Sequence, residues 1–355
     1  MRVRFIGAMP EKGYSGGRLL VLTLANALLN AGIDTDFVTN VLPEMADEFG
    51  DELPILTAAL DNFSPLCDRD VDVAIVVPGQ GHFDHHGEFL RHALECGAKI
   101  VLLNFESPNW FNALSPQPRR EALWDGWRLV SAYADMVLSI SAEGDHWARD
   151  YYKNVTPNCR FRHCYTAINS DLADAVPEPT ARERRILMLT RIDGHKGYGA
   201  LDPLLDERFA GFEVLVCLGM GSMDPQQQAE WTSRLAEFGV QLNVRGPAIG
   251  LEKFALIKSS AVLYFPTRFE GFGIPPLEAG YCGTPVACSD LPVLREFGGD
   301  AFHYAQPGDT HAMRATLLTA IASGGIAAAD RQRLREIGSL QHCGVRLGGI
   351  LRELL

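Results

Sequence analysis

The stretch FPTRFEGFGIPPLEAGYCGTPVACSD, residues 265–290, decides the fold. Glu270 and Glu278 bracket a turn, Glu270-Gly271-Phe272-Gly273, followed by the proline pair Pro275-Pro276. Proline suits the first helical turn, where backbone N–H groups have no partner in any case, so the pair opens a helix. Residues 261–266 form an apolar strand that feeds the turn, and residues 285–288 form a second strand after the helix. The unit is strand, glycine loop, helix, strand. It offers backbone N–H groups and a positive helix end to an anion or a polyhydroxyl ligand. Glu270 falls on the loop and Glu278 about two turns into the helix. A tight turn with solvated carboxylates has the same outline, but two carboxylates bracketing one loop favour a site.

The same unit recurs outward from this stretch. Residues 2–9 read as a strand, residues 10–17 as a loop ending in Gly16-Gly17, and residues 19–31 as a helix with leucines and alanines at helical spacing. The loop has neither the Gly-x-Gly-x-x-Gly spacing of a dinucleotide fingerprint nor the Lys-Ser/Thr of a P-loop. Strands are expected at 36–40, 71–78, 99–105, 136–141 and 160–165, with helices at 88–96, 119–134 and 143–153. Residues 170–185 break the periodicity with two prolines and many charges, which reads as a linker. Alternation then restarts, with strands at 186–190, 213–218, 240–244, 261–266, 285–288 and 301–304. Strands alternating with helices imply parallel sheets covered on both faces, with ligands at the carboxyl ends of the strands. The expected division is residues 1–170, residues 171–335, and a C-terminal helix, 336–355, that packs back on the first domain.

Composition narrows the function. The chain has 355 residues, 47% of them hydrophobic and 21% charged, and its mean hydropathy is near zero. That is the profile of a soluble globular protein of two ordinary domains. The formal charge of −12 argues against a partner bound through nucleic-acid phosphates. The eight cysteines (Cys67, Cys96, Cys159, Cys164, Cys217, Cys282, Cys288 and Cys343) include no Cys-x-x-Cys pair, and no secretory signal is seen. A reducing cytoplasm is expected. No apolar run approaches the ~18 residues of a membrane span. The first 170 residues carry 14 Lys/Arg and 22 Asp/Glu, which gives no broad basic face for anionic lipid. Arg119, Arg120 and Arg128 near Trp124 and Trp127 are the local exception, and the reading preferred for their segment is an ordinary core-facing amphipathic helix. Membrane contact is therefore expected to be peripheral at most, at the inner face.

After the first strand of the second half comes Thr190-Arg191-Ile192-Asp193-Gly194-His195-Lys196-Gly197. An arginine fork and a compact lysine charge on a glycine loop suit phosphate oxygens. With the two glutamates of the same half, they describe a site for a nucleotide sugar. Residues 190–197 resemble the G-R-x-x-x-x-K-G segment of the retaining glycosyltransferases of family 4, which have the GT-B fold. Glu270 to Glu278 resembles their E-G-F-G-x-P-x-x-E-A segment, and Gly16-Gly17 their acceptor-side glycine loop. Thr190 departs from the family's usual glycine.

The resemblance implies an α/β protein of two doubly wound, Rossmann-like domains facing each other across a cleft, the first for the acceptor and the second for the donor. It implies a retaining hexosyltransferase that moves a sugar from a nucleotide-diphosphate sugar to a saccharide or lipid-linked saccharide, in polysaccharide or glycoconjugate synthesis. Arg191 and Lys196 would hold the donor diphosphate, Glu278 the ribose hydroxyls and Glu270 the sugar hydroxyls. The amides of Gly271, Phe272 and Gly273 would line the sugar. Backbone near Arg245 and Gly246 would meet the base, and Gly16 and Gly17 the phosphates. His82, in Gly79-Gln80-Gly81-His82, is the candidate for the family's active-site histidine, or else a solvated loop histidine with His85 and His86 beside it. No cofactor and no metal are expected, although His82, Asp84, His85 and His86 have ligand types. A non-catalytic nucleotide-sugar-binding subunit and a small-sugar synthase or phosphorylase stay open as alternatives.

Overall fold

The computed structural model describes residues 1–79 and 85–355. The chain divides into two compact units. The first comprises Met1–Leu114, Pro118–Asn169 and Ser339–Leu355, and the second Ser115–Gln117 and Ser170–Gly338.

The first unit is built on strands β1 (Arg2–Ile6), β2 (Asp34–Thr39), β3 (Ile55–Thr57), β4 (Val73–Val76), β5 (Lys99–Asn104), β6 (Met136–Ser139) and β7 (Arg160–His163). Their order is β3-β2-β1-β4-β5-β6-β7, and every paired neighbour is parallel. The strands read as near-continuous Val/Ile/Leu runs because both faces are covered; Val73 to Val77 are all fully buried. One charged pair interrupts this core. Arg4 and Asp36 face each other across the β1–β2 register and form a bidentate ion pair, 2.7 Å at each contact, with both residues buried. The order reverses direction between β1 and β4, so the chain leaving these two strands, from residue 7 and from residue 77, does so at the sheet's switch point.

Helix Gly16–Asn30 follows β1. Helix Leu340–Arg352, the C-terminal segment, packs on it through glycines: a Cβ on Gly344 would collide with the Ala27 carbonyl. One expectation is corrected here. Residues 119–134 are not one helix but a 3₁₀ turn, Glu121–Trp124, and a short α-helix, Asp125–Ser131. The Asn112 side chain holds the backbone of Arg119 at both its N–H and its C=O, and Arg120 is extended, so the helix starts late. Trp124 and Trp127 are buried, in line with the core-facing reading of this segment. Strand β3, three residues long, was not among the expected strands.

The second unit is a six-stranded parallel sheet of β8 (Glu183–Thr190), β9 (Glu213–Leu218), β10 (Gln241–Arg245), β11 (Ser260–Phe265), β12 (Val286–Ser289) and β13 (His303–Ala305), in the order β10-β9-β8-β11-β12-β13. The segment expected as a bare linker contains helix Ser170–Ala175 and the first residues of β8. Helix Ala328–Gly338 stays in this unit, tied by Arg335 to Asp174 at 2.7 Å. The switch point lies between β8 and β11, which are neighbours although two strands separate them in sequence. That adjacency brings the two motifs of the sequence together. Among the described residues no single helix is long and apolar enough to cross a membrane.

Candidate active site

The loop after β8 and the loop after β11 are locked to each other by backbone. The His195 carbonyl accepts from the Arg268 N–H at 2.7 Å and from the Thr267 hydroxyl at 3.0 Å. Gly197 has φ +67°, and a Cβ there would run into the Pro266 carbonyl, so both conformation and contact demand glycine. Thr190, the departure from the glycine of the motif, donates its hydroxyl to the Lys196 carbonyl at 3.4 Å and closes the loop on itself.

This frame sets the charges. Lys196 Nζ lies 2.8 and 2.9 Å from the two carboxylate oxygens of Glu270, across 74 residues of chain. Glu270 is 7% exposed, and the lysine side chain keeps about a fifth of its surface. Arg191 is half-buried, with Nη2 3.3 Å from Asp193 and a buried Nε that has no hydrogen-bond partner. Asp193 also takes His195 Nδ1 at 2.7 Å. Burial lowers the pKa of His195, with Lys196 adding to the effect and Asp193 opposing it, so the ring is neutral at pH 7 and donates its Nδ1–H. Asp193, His195 and Thr267 carry no motif signal of their own; they are the residues that hold the motif in shape.

Helix Ile274–Cys282 has Gly273 as its N-cap, where a φ of +105° favours glycine, and Pro275 and Pro276 lie in the first turn as expected. Phe272 is buried and stacks on Phe297 at 4.7 Å, so it faces the core with its ring and the loop with its backbone. Glu278 is one turn into this nine-residue helix, not two. It is buried, and its Oε1 lies 2.8 Å from Lys253 Nζ. Lys253 is the charged residue that sequence reading missed, because the contact depends on how two helices pack. At the end of β10, Arg245 is engaged by Glu252 at 2.6 and 3.1 Å, and Gly246 is open on its Cβ side.

In the first unit, Gly16 and Gly17 are exposed, with nothing within 4 Å of a Cβ at either position. They start a helix that lacks both a side-chain cap and an acidic first turn. His82 lies outside the described residues, as do Gln80, Gly81 and Asp84. His86 is buried: its Nε2 accepts from the Gly79 N–H at 3.0 Å, and its ring lies 6.3 Å from that of Trp127.

Two sheets of parallel strands, each flanked by helices and each with its own switch point, make this a protein of the GT-B fold. Residues 185–323 match the family described as glycosyl transferases group 1. The O-antigen chain mannosyltransferase B of Escherichia coli is 41% identical over 66 residues, which are 19% of this chain and 17% of that relative. The match thus spans about a sixth of the curated relative's length. Among solved structures, Anabaena HepE in complex with UDP and glucose superposes with a TM-score of 0.74 at 12% identity, covering 99% of this chain and all of that one. The sucrose-phosphate synthase of Thermosynechococcus elongatus gives 0.72 at 16% identity, covering 99% and 98%. At such identities the likeness is one of fold.

Proposed function

We propose that the protein is a retaining glycosyltransferase that moves a hexose from a nucleotide-diphosphate sugar to a saccharide or lipid-linked saccharide acceptor, in the synthesis of a bacterial polysaccharide. The observation that carries this reading is the convergence of Arg191, Lys196 and Glu270 at the carboxyl ends of β8 and β11. The group 1 match over the same residues supports it, as do the mannosyl transfer named for the relative and the UDP and glucose named for the structural neighbour.

Breaking the bond at the anomeric carbon leaves extra negative charge on the departing diphosphate while the sugar becomes oxocarbenium-like. Arg191 and Lys196 stabilise that charge where it develops, and electrostatic stabilisation of this kind usually contributes more to catalysis than any other single effect. The orphaned Nε of Arg191 is a donor that a phosphate oxygen satisfies. Without ligand, Glu270 neutralises Lys196. With donor bound, the lysine is shared with the phosphate and Glu270 is left to accept from the sugar hydroxyls. Glu270 is a positioning group here, not a nucleophile. Glu278 accepts from the ribose, and backbone near Arg245 and Gly246 meets the base. The site uses no metal and no resident cofactor.

Turnover tests this. Lys196→Ala and Glu270→Gln are each expected to lower kcat/KM for the donor sugar by about 100-fold or more, roughly 3 kcal/mol of transition-state stabilisation, with melting temperature little changed. Variants that transfer sugar as fast as the parent would remove the assignment. The donor is named by a thermal-shift screen of nucleotide sugars, GDP-mannose and UDP-glucose first, since a ligand that binds only the native state raises stability with its occupancy.

A further inference from the structure

Lys253 and Glu278 are each about 4% exposed in their side chains, and their charged atoms are 2.8 Å apart. They come from two packed helices, Gly250–Ser259 and Ile274–Cys282. Lys253 stands on the first turn of its helix, just after the Arg245–Gly246 strand end. Glu278 stands one turn beyond the Glu270 loop. The pair therefore joins the segment read as meeting the base to the segment read as meeting the sugar, and the ribose of a nucleotide sugar lies between those two groups.

Stability does not explain such a pair. Taking two charges out of water costs about what their attraction returns, and an apolar pair of the same volume often serves a fold equally well. A carboxylate with so little exposure is useful to a ligand only if it stays ionised and keeps one direction. Water can ensure neither at that depth, whereas a lysine at hydrogen-bond distance ensures both. The lysine itself is held from below, its Nζ 4.9 Å from the Phe254 ring centroid.

We propose that Lys253 is a positioning residue of the donor site: it keeps the Glu278 carboxylate charged and aimed so that it accepts from the ribose hydroxyls. The inference rests on the reading of Glu278 in the proposed function. Lys253 touches no substrate and acts through Glu278.

The test compares UDP and GDP with their 2′-deoxy forms in thermal-shift titrations, alongside donor kinetics. The parent protein is expected to prefer the ribonucleotide, and Glu278→Gln and Lys253→Met are each expected to abolish most of that preference. Lys253→Met should raise the donor KM about tenfold with a much smaller change in kcat, and Lys253→Arg should restore part of it. Adding Lys253→Met to Glu278→Gln should cost nothing further, since residues acting as one unit are not additive. If Lys253→Met does not fold, Lys253→Gln, a neutral hydrogen-bond donor, takes its place. A Lys253 variant that keeps the parent's KM and ribose preference while Glu278→Gln loses both would overturn the role of the lysine alone. If Glu278→Gln also keeps them, the reading of Glu278 falls, and the inference with it.

Discussion

His195 shows how a buried side chain and its backbone shape a site. Its carbonyl ties the β8 loop to the β11 loop, and its ring is buried and neutral beside Asp193. Burial also lowers His92, which faces the Arg4 guanidinium at 3.3 Å, and His303. A histidine whose folded pKa is depressed binds its proton more readily in the unfolded chain, so protonation favours unfolding. Stability is therefore expected to be level above pH 7. It should fall as the pH drops through the unfolded histidine value near 6.5, before carboxylates such as Asp290 and Glu178 begin to matter. Urea midpoints measured from pH 8 to 5 check this. A flat profile down to pH 5 would contradict it.

Two loops from neighbouring strands meet at Gly197, and here the elements decide the outcome. Gly197→Ala puts a side chain into a left-handed backbone and into the Pro266 carbonyl. It is expected to cost about 2 kcal/mol or more and to lower donor turnover, because the β8 loop must back away from β11. Urea denaturation and kcat/KM measure the two effects, and an unchanged protein would mean that the loops are not clamped as described. The Lys196 and Glu270 motifs were legible in sequence because each is a polar cluster set in glycine at the end of an apolar strand. Their direct pairing was not, since it depends on β8 and β11 being neighbours, which chain order conceals. Glu278 was legible as a residue but not as an ion pair, because its partner comes from another helix. Residues 119–134 misled for a local reason: amphipathic spacing continued through a segment whose first backbone groups are claimed by Asn112.

Across the whole molecule, both sheets were legible from apolar runs alternating with helical spacing. Buried parallel strands need both faces apolar, and that signal survives without any knowledge of partners. Strand β3 escaped because three residues carry too little pattern, and the helix inside the linker because its short turn is hidden among charges. What the architecture adds is convergence: the switch point of the second sheet collects two cations and a carboxylate from distant motifs. The central claim is that this point holds the diphosphate of a nucleotide sugar. Isothermal titration of UDP and of GDP into the parent, Arg191→Ala and Lys196→Ala proteins tests it most directly. The account predicts that the parent binds at least one of the two nucleotides, and that each variant binds it at least about tenfold more weakly, a loss of about 1.4 kcal/mol, while melting as the parent does. Equal affinity in all three proteins, or no binding by the parent, would contradict it.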